Sequence, residues 1–276
     1  MEMFDTLIYG ASWYGVVTAL KAARAGKKVA LFNHYGFPGG VLSTCLSVYQ
    51  RVDDTLLYPE TISAEVYEEI RKERGGILKN EGLYLLFNPE IIKIKLLKAL
   101  EDSSVYLLFY VVPVAIEIKN ACKKVTFYQR DGLKEYGCTT LIDASENASL
   151  ERLIHPVIPL NHSIFHCFIQ SPQKPIYDSL VECIELDNHR WWVSVNFEAD
   201  KKGNEDPSLS MHRTLDRLYD AMLDQGATIQ LVPIQPESLY HFSENTSQHF
   251  SPFLLSDADN FKKIIMKTLE GELHDS

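Results

Sequence analysis

The spacing of apolar positions changes along the chain, and each change marks an element. Thr6–Tyr9 is a short apolar run closed by Gly10, the pattern of a strand buried on both faces. Tyr14–Ala25 then reads as a helix rich in Ala, Val and Leu. Lys21 and Arg24 fall late in it, and Gly26 is placed to end it in a left-handed conformation. Lys28–Phe32 is a second strand. Strand, helix and strand within about thirty residues make a βαβ unit.

Tyr35–Gly40 is a turn-rich loop, and residues 61–74 carry a helical pattern. Asn88-Pro89-Glu90 combines a cap, a first-turn proline and an early carboxylate, so a helix is predicted from there to Asp102. Val105–Lys119 reads as one extended stretch. Val125–Gln129 and Tyr136–Ile142 read as strands joined through Arg130-Asp131-Gly132 as a hairpin. Beyond about residue 150, His162–Ile169 and Leu180–Phe197 are strand-like, the latter with a turn near Asp187-Asn188. Asp206-Pro207 opens a helix to about Gln225, and Thr228–Pro233 is a further strand.

The order of elements predicts an α/β fold with a parallel sheet and a β-hairpin or meander, plus a smaller α+β domain. The expected division is residues 1–155 together with 250–276, and residues 156–249 as a sheet-plus-helix domain.

Composition narrows the function classes. A formal charge of -10 argues against a nucleic-acid partner. No stretch approaches the ~20 apolar residues of a membrane span. The start of the chain runs directly into a strand without a basic and apolar leader, so a cytoplasmic location is expected. The five cysteines are scattered with no Cys-x-x-Cys, which points to reduced thiols and no metal site.

Gly10-Ala11-Ser12-Trp13-Tyr14-Gly15 matches G-x-G-x-x-G except at its second glycine. In that motif the first glycine allows the turn off the strand and the second lets backbone approach a pyrophosphate. The third packs helix on strand, and the helix start, here Trp13 and Tyr14, offers N–H groups and partial positive charge. Ser12 is small and carries a hydroxyl that can donate to phosphate. At the end of the second strand, where a carboxylate would take the ribose hydroxyls, stands Asn33, whose amide oxygen still accepts. His34 beside it reads more simply as a surface residue than as a phosphate contact.

Three segments together resemble the FAD-dependent oxidoreductase family with a glutathione-reductase-like, Rossmann-type FAD fold. They are Asp5–Gly15 with its following helix, Leu31–Gly40 with its paired glycines, and Thr140–Asn147, which is similar to the family's strand ending in Asp-Ala-Thr-Gly. The resemblance covers roughly the first 150 residues. It implies that Gly10, Ser12 and Gly15 face the FAD pyrophosphate and that Asn33 faces the adenosine ribose. Gly39 and Gly40 would pass close to the middle of the cofactor, Val112 would lie near adenine, and Ala144 and Ser145 would line the turn beside the pyrophosphate. Asp257, before a helix expected from Asn260 to Leu269, would meet the ribityl or phosphate end. Glu146 stands where the family has glycine, and its carboxylate repels phosphate unless it turns away. The activity implied is hydride transfer between a small-molecule substrate and flavin. A cofactor-free or weakly nucleotide-binding relative is the alternative. So is an NAD-dependent dehydrogenase, though it would explain neither the Gly39-Gly40 pair nor the Asp143-Ala144-Ser145 turn.

Other residues carry less. His162 and His166 are read as core and surface histidines. Trp191 and Trp192 in one strand should place one indole on each face. Cys45 is read as a buried small residue, and Glu65, Glu68 and Glu69 as one solvated helix face.

Overall fold

A computed structural model describes residues 1–51, 61–119, 122–147, 149–154, 160–198 and 207–240 of the chain. These form two compact units. The first holds residues 1–40 and 50–154, and the second holds 41–49 and 160–240. The expected return of residues 250–276, with Asp257 and the helix from Asn260, lies outside the described residues.

In the first unit, β1 (Glu2–Tyr9) leads through a tight turn into α1 (Trp13–Arg24) and then β2 (Val29–Phe32). The apolar run at the end of β1 and all of β2 are buried, as strands covered on both faces require. Lys21 and Arg24 close α1 at the end where cations oppose the helix dipole, and Gly26 follows with φ +78°. The βαβ unit is therefore as the apolar pattern predicts.

The extended stretch expected over Val105–Lys119 is two strands. β6 (Tyr106–Leu108) and β7 (Val112–Lys119) are separated by Tyr110, whose φ of 59° breaks the extended backbone. β8 (Cys122–Gln129) and β9 (Gly132–Asp143) complete a six-stranded sheet of order β6-β2-β1-β9-β8-β7. β6, β2, β1 and β9 run parallel, whereas β8 and β7 return antiparallel as a meander. The hairpin turn at Gly132 has φ +104°, which only glycine adopts at little cost.

Aromatic packing ties the meander to the parallel strands. Phe32 meets Phe127 edge-on at 5.0 Å and Tyr136 at 4.8 Å, and Tyr9 lies 5.7 Å from Phe127. Each such pair contributes about 0.5–1.5 kcal/mol beyond its buried area. Leu7, Ala30, Val125, Cys138 and Leu141 fill the same core.

Helices α3 (Ile62–Lys72) and α4 (Pro89–Glu101) are capped by Thr61 and Asn88, whose side chains accept from Ala64 N and Glu90 N. Between them lie two strands not anticipated from the sequence, β4 (Ile77–Glu81) and β5 (Tyr84–Phe87). They pair antiparallel around Gly82 and join β3 (Tyr49–Arg51) in a three-stranded sheet.

The second unit is an antiparallel sheet of β10 (Leu160–Gln170), β11 (Leu180–Glu185), β12 (Arg190–Phe197), β13 (Thr228–Leu231) and β14 (Glu237–Tyr240). Asn188 and His189, with φ of 60° and 59°, form the turn expected near Asp187-Asn188. Helix α5 (Pro207–Asp224) covers one face, packing Met211, Leu218 and Met222 on Phe165, Cys167, Val193 and Val195. The short helix α2 (Val41–Thr44) belongs to this unit. Trp191 lies on the α5 side and Trp192 on the other, as strand alternation dictates.

Candidate functional site

The end of β1 and the start of α1 form a turn in which both glycines are required by packing. A Cβ on Gly10 (φ +105°) would stand 2.3 Å from Ser145 N and 2.4 Å from the Ala144 carbonyl carbon. A Cβ on Gly15 would stand 2.0 Å from the Gly10 carbonyl oxygen. Three backbone segments therefore touch without side chains between them. Ser12 caps α1, its hydroxyl accepting from Gly15 N at 3.2 Å, which leaves its O–H to donate. The first-turn residues Trp13 and Tyr14 stand at the positive end of the helix dipole, where an anion is favoured. The Trp13 side chain points elsewhere: it is buried and its indole N–H donates to Ser63 Oγ at 3.1 Å. Burial raises the Tyr14 phenol above its ordinary pKa.

Asn33, at the end of β2, is 5% exposed and joins several segments at once. Its Oδ1 accepts from Ala11 N at 3.0 Å, inside the glycine turn. Its Nδ2 donates to the carbonyls of Tyr35 at 3.1 Å and Phe37 at 2.9 Å. Gly39 N donates to Ala11 O at 2.7 Å, so the 35–40 loop is sewn to the glycine turn at two points. His34 is exposed and packs edge-on against Tyr35. Val112 is exposed, and its neighbour Val111 donates from N to Asn33 O at 3.1 Å while accepting from Tyr9 Oη at 3.1 Å.

The third wall is the turn after β9. Asp143, 1% exposed, accepts from Ser145 N and Ser145 Oγ on one oxygen. Its other oxygen accepts from Leu150 N and Glu151 N. Burial raises its carboxyl pKa, and those same four donors work against the rise. Asp143 thus holds the Ala144–Ser145 turn together with Leu150 and Glu151. Glu146 does not turn away from the cradle. Its Oε1 lies 3.2 Å from where a Cβ on Gly40 would stand, and that same position is 2.8 Å from Ser12 Cβ. Glu146 keeps a part of its surface in solvent, yet protein surrounds its carboxyl on most sides. Burial, followed by the charge of Asp143, pushes its pKa up to about 7.

The structure therefore brings Gly10, Ser12, Gly15, Asn33, Gly39, Gly40, Ala144 and Ser145 together in one unit. It leaves His34 and Val112 at the periphery and turns the Trp13 indole away. No cluster of metal-binding side chains occurs among the described residues. No helix among them is long and apolar enough to cross a membrane.

The second unit contains a polar pair the sequence did not announce. His166 Nε2 lies 3.1 Å from Glu237 Oε2, both residues are buried, and the imidazole stacks on Trp192 at 4.9 Å. Trp192 Nε1 donates to Leu46 O at 2.9 Å. The partners are 71 positions apart in sequence, so no local spacing could have joined them. Cys45 is buried, as expected, with its Sγ 3.5 Å from Thr44 Oγ1. Glu65, Glu68 and Glu69 are solvent-facing but ion-paired, with Arg24, Arg71 and Lys72.

A family model described as "FAD dependent oxidoreductase" matches residues 5–154. No curated protein matches. Among solved structures, p-nitrophenol 4-monooxygenase from Pseudomonas putida superposes with a TM-score of 0.65 at 13% identity, covering 98% of this chain and 78% of that one. A flavoprotein/dehydrogenase from Cytophaga hutchinsonii gives 0.64 at 14% identity, covering 98% and 77%. Aklavinone-11 hydroxylase, in a ternary complex with FAD and aklavinone, gives 0.63 at 13% identity, and this chain spans 61% of its length. At such identities the likeness is one of fold.

Proposed function

The chain belongs to the FAD dependent oxidoreductase family, and from that premise we propose that it binds FAD at the β1–α1 turn for hydride transfer with a small-molecule substrate. The observation that carries this reading is the close-packed seam of Gly10, Gly15 and the Ala144–Ser145 turn at the start of α1, where the helix dipole favours an anion. The residues fit a diphosphate. The α1 N-terminus offers amides and favourable charge, Ser12 offers its O–H, and Gly40 adds no side chain to the wall. Glu146 brings a carboxyl to this wall beside Gly40. Its carboxyl is pushed up to about 7, and in its protonated form it can donate to a phosphate oxygen.

When bound, FAD supplies the hydride-accepting ring, and the protein supplies position and electrostatics. Asp143 orders the Ala144–Ser145 turn and Asn33 fixes the 35–40 loop, two segments that would help to hold the diphosphate. The assignment of residues 1–155 with 250–276 as the nucleotide-holding part, and 156–249 as the substrate-side part, is included in this proposal. So is a role for Asp257 beside the cofactor.

A second reading has a specific observation in its favour. A carboxylate faces the cradle at Glu146, which suits a relative that has given up its cofactor. The visible spectrum of the full chain as purified, and again after incubation with FAD and gel filtration, separates the two. A retained flavin band is expected. Colourless protein that retains no FAD would leave the cofactor-free reading, and NADH binding in its place would favour a dehydrogenase.

A further inference from the structure

We propose that Asn33 is a positioning residue, which latches the 35–40 loop onto the phosphate turn, and not the ligand of the ribose. The inference rests on the nucleotide-binding reading above and assigns a role within that site.

The geometry admits one orientation of the amide. Ala11 N is a donor and must face Oδ1, at 3.0 Å. The Tyr35 and Phe37 carbonyls are acceptors and must face Nδ2, at 3.1 and 2.9 Å. Both N–H bonds of the amide are consumed, and its oxygen already serves the glycine turn. Through its backbone Asn33 also donates to Leu108 O at 2.9 Å and accepts from Val111 N at 3.1 Å. The residue thus ties the glycine turn to β6, to the start of β7 and to its own loop.

An amide at position 33 is therefore a requirement of the fold around it. A carboxylate would keep the bond from Ala11 but lose both donations, and would set a negative charge against two carbonyl oxygens. Restoring the acidic residue that a ribose ligand would need should therefore damage the site. The latch matters to a nucleotide because the loop it holds carries Gly39 and Gly40 past Ser12. If the loop drifts, one wall of the cradle drifts with it.

The test uses ADP and 2′-deoxy-ADP as probes, titrated calorimetrically into the full chain and into Asn33→Asp and Asn33→Ala. Circular dichroism confirms that each variant is folded. We expect both variants to weaken both nucleotides by the same factor, about tenfold or more, so that the ratio between the nucleotides stays at its wild-type value. A wild-type preference for ADP that vanishes in Asn33→Ala would overturn the proposal, because the amide would then be reading the ribose. If wild-type protein binds neither probe, the nucleotide reading fails, and the latch is judged by amide exchange in the free chain. Gly39 N–H should exchange at least about tenfold faster in both variants while Leu7 N–H, in β1, does not. Unchanged Gly39 exchange would overturn it.

Discussion

The carboxylate of Glu146 faces Gly40: a Cβ at Gly40 would lie 3.2 Å from Glu146 Oε1. A negative charge and an anion-favouring helix start thus share one cradle, and the protonation state of Glu146 decides which prevails. Its pKa of about 7, raised by burial and by Asp143, puts that decision near neutrality.

FAD affinity should therefore depend on pH. Below about pH 7 Glu146 holds its proton and tolerates phosphate, and above it the ionised carboxylate repels it. Fluorescence titration should show wild-type affinity falling by up to about tenfold per pH unit above 7. Glu146→Gln should bind alike at pH 6 and 8.5. Wild-type affinity that is flat over that range would remove Glu146 from the account.

The same shift has a consequence for stability. The unfolded carboxyl has its ordinary value of 4.5 and the folded one is raised, so the folded state binds more protons between the two. Stability from this group is present in full below about pH 4.5 and is lost as pH rises through about 7. Relative to wild type, Glu146→Gln should raise the urea midpoint more at pH 8 than at pH 5. An equal gain at both pH values would contradict the assignment.

Gly10 and Gly26 have similar left-handed backbones but different surroundings. A Cβ at Gly10 meets Ser145 N at 2.3 Å, whereas at Gly26 (φ +78°) it meets nothing within 4 Å. Gly26→Ala should cost only the backbone strain, about 1 kcal/mol. Gly10→Ala must also move backbone, and about 3 kcal/mol or more is expected in denaturant unfolding. Equal costs would show that the seam is looser than described.

Asp143 takes four hydrogen bonds while buried, so Asp143→Asn loses acceptors and leaves N–H groups of the 144–151 turn unpaired. A loss of about 3 kcal/mol is expected by urea unfolding. FAD uptake should weaken with it, because Ala144 and Ser145 lose their support. A stable variant with normal uptake would show that the turn is held by other means.

The thiols should react in order of exposure. Cys122 is exposed and Cys183 half-buried, while Cys45, Cys138 and Cys167 are buried. Burial pushes Cys138 up to about 12 and raises Cys167 as well, so little thiolate forms at either. A thiol reagent at pH 8 should label Cys122 first, and Cys122→Ser should abolish that fast phase. Fast labelling of Cys138 in folded protein would contradict the packing of β9.

The parts of this fold legible in the sequence are those set by neighbours in sequence. The βαβ unit follows from apolar runs with Gly10 and Gly26, and α4 from its Asn88-Pro89 start. The break between β6 and β7 was not legible, because it depends on Tyr110 at φ 59° and tyrosine does not announce that conformation. Strand β4 has no buried residue, and β5 is four apolar residues that run directly into the Asn88 cap, so neither shows an alternating pattern. At the site, residue types were legible but directions were not. Glu146 reads equally well turned in or out, and two of the three side-chain partners of Asn33 depend on where residues 35–37 fold. The pairing of His166 with Glu237 needed β10 and β14 to be brought side by side.

The seam of Gly10, Gly15 and the Ala144–Ser145 turn is where FAD is proposed to bind. Its most direct test is the flavin retained by the full chain after incubation with FAD at pH 6.5 and gel filtration, beside Gly15→Val. A flavin band should travel with wild-type protein and be absent from folded Gly15→Val, whose side chain would drive into the Gly10 carbonyl. Wild-type protein that elutes without flavin at that pH would contradict it.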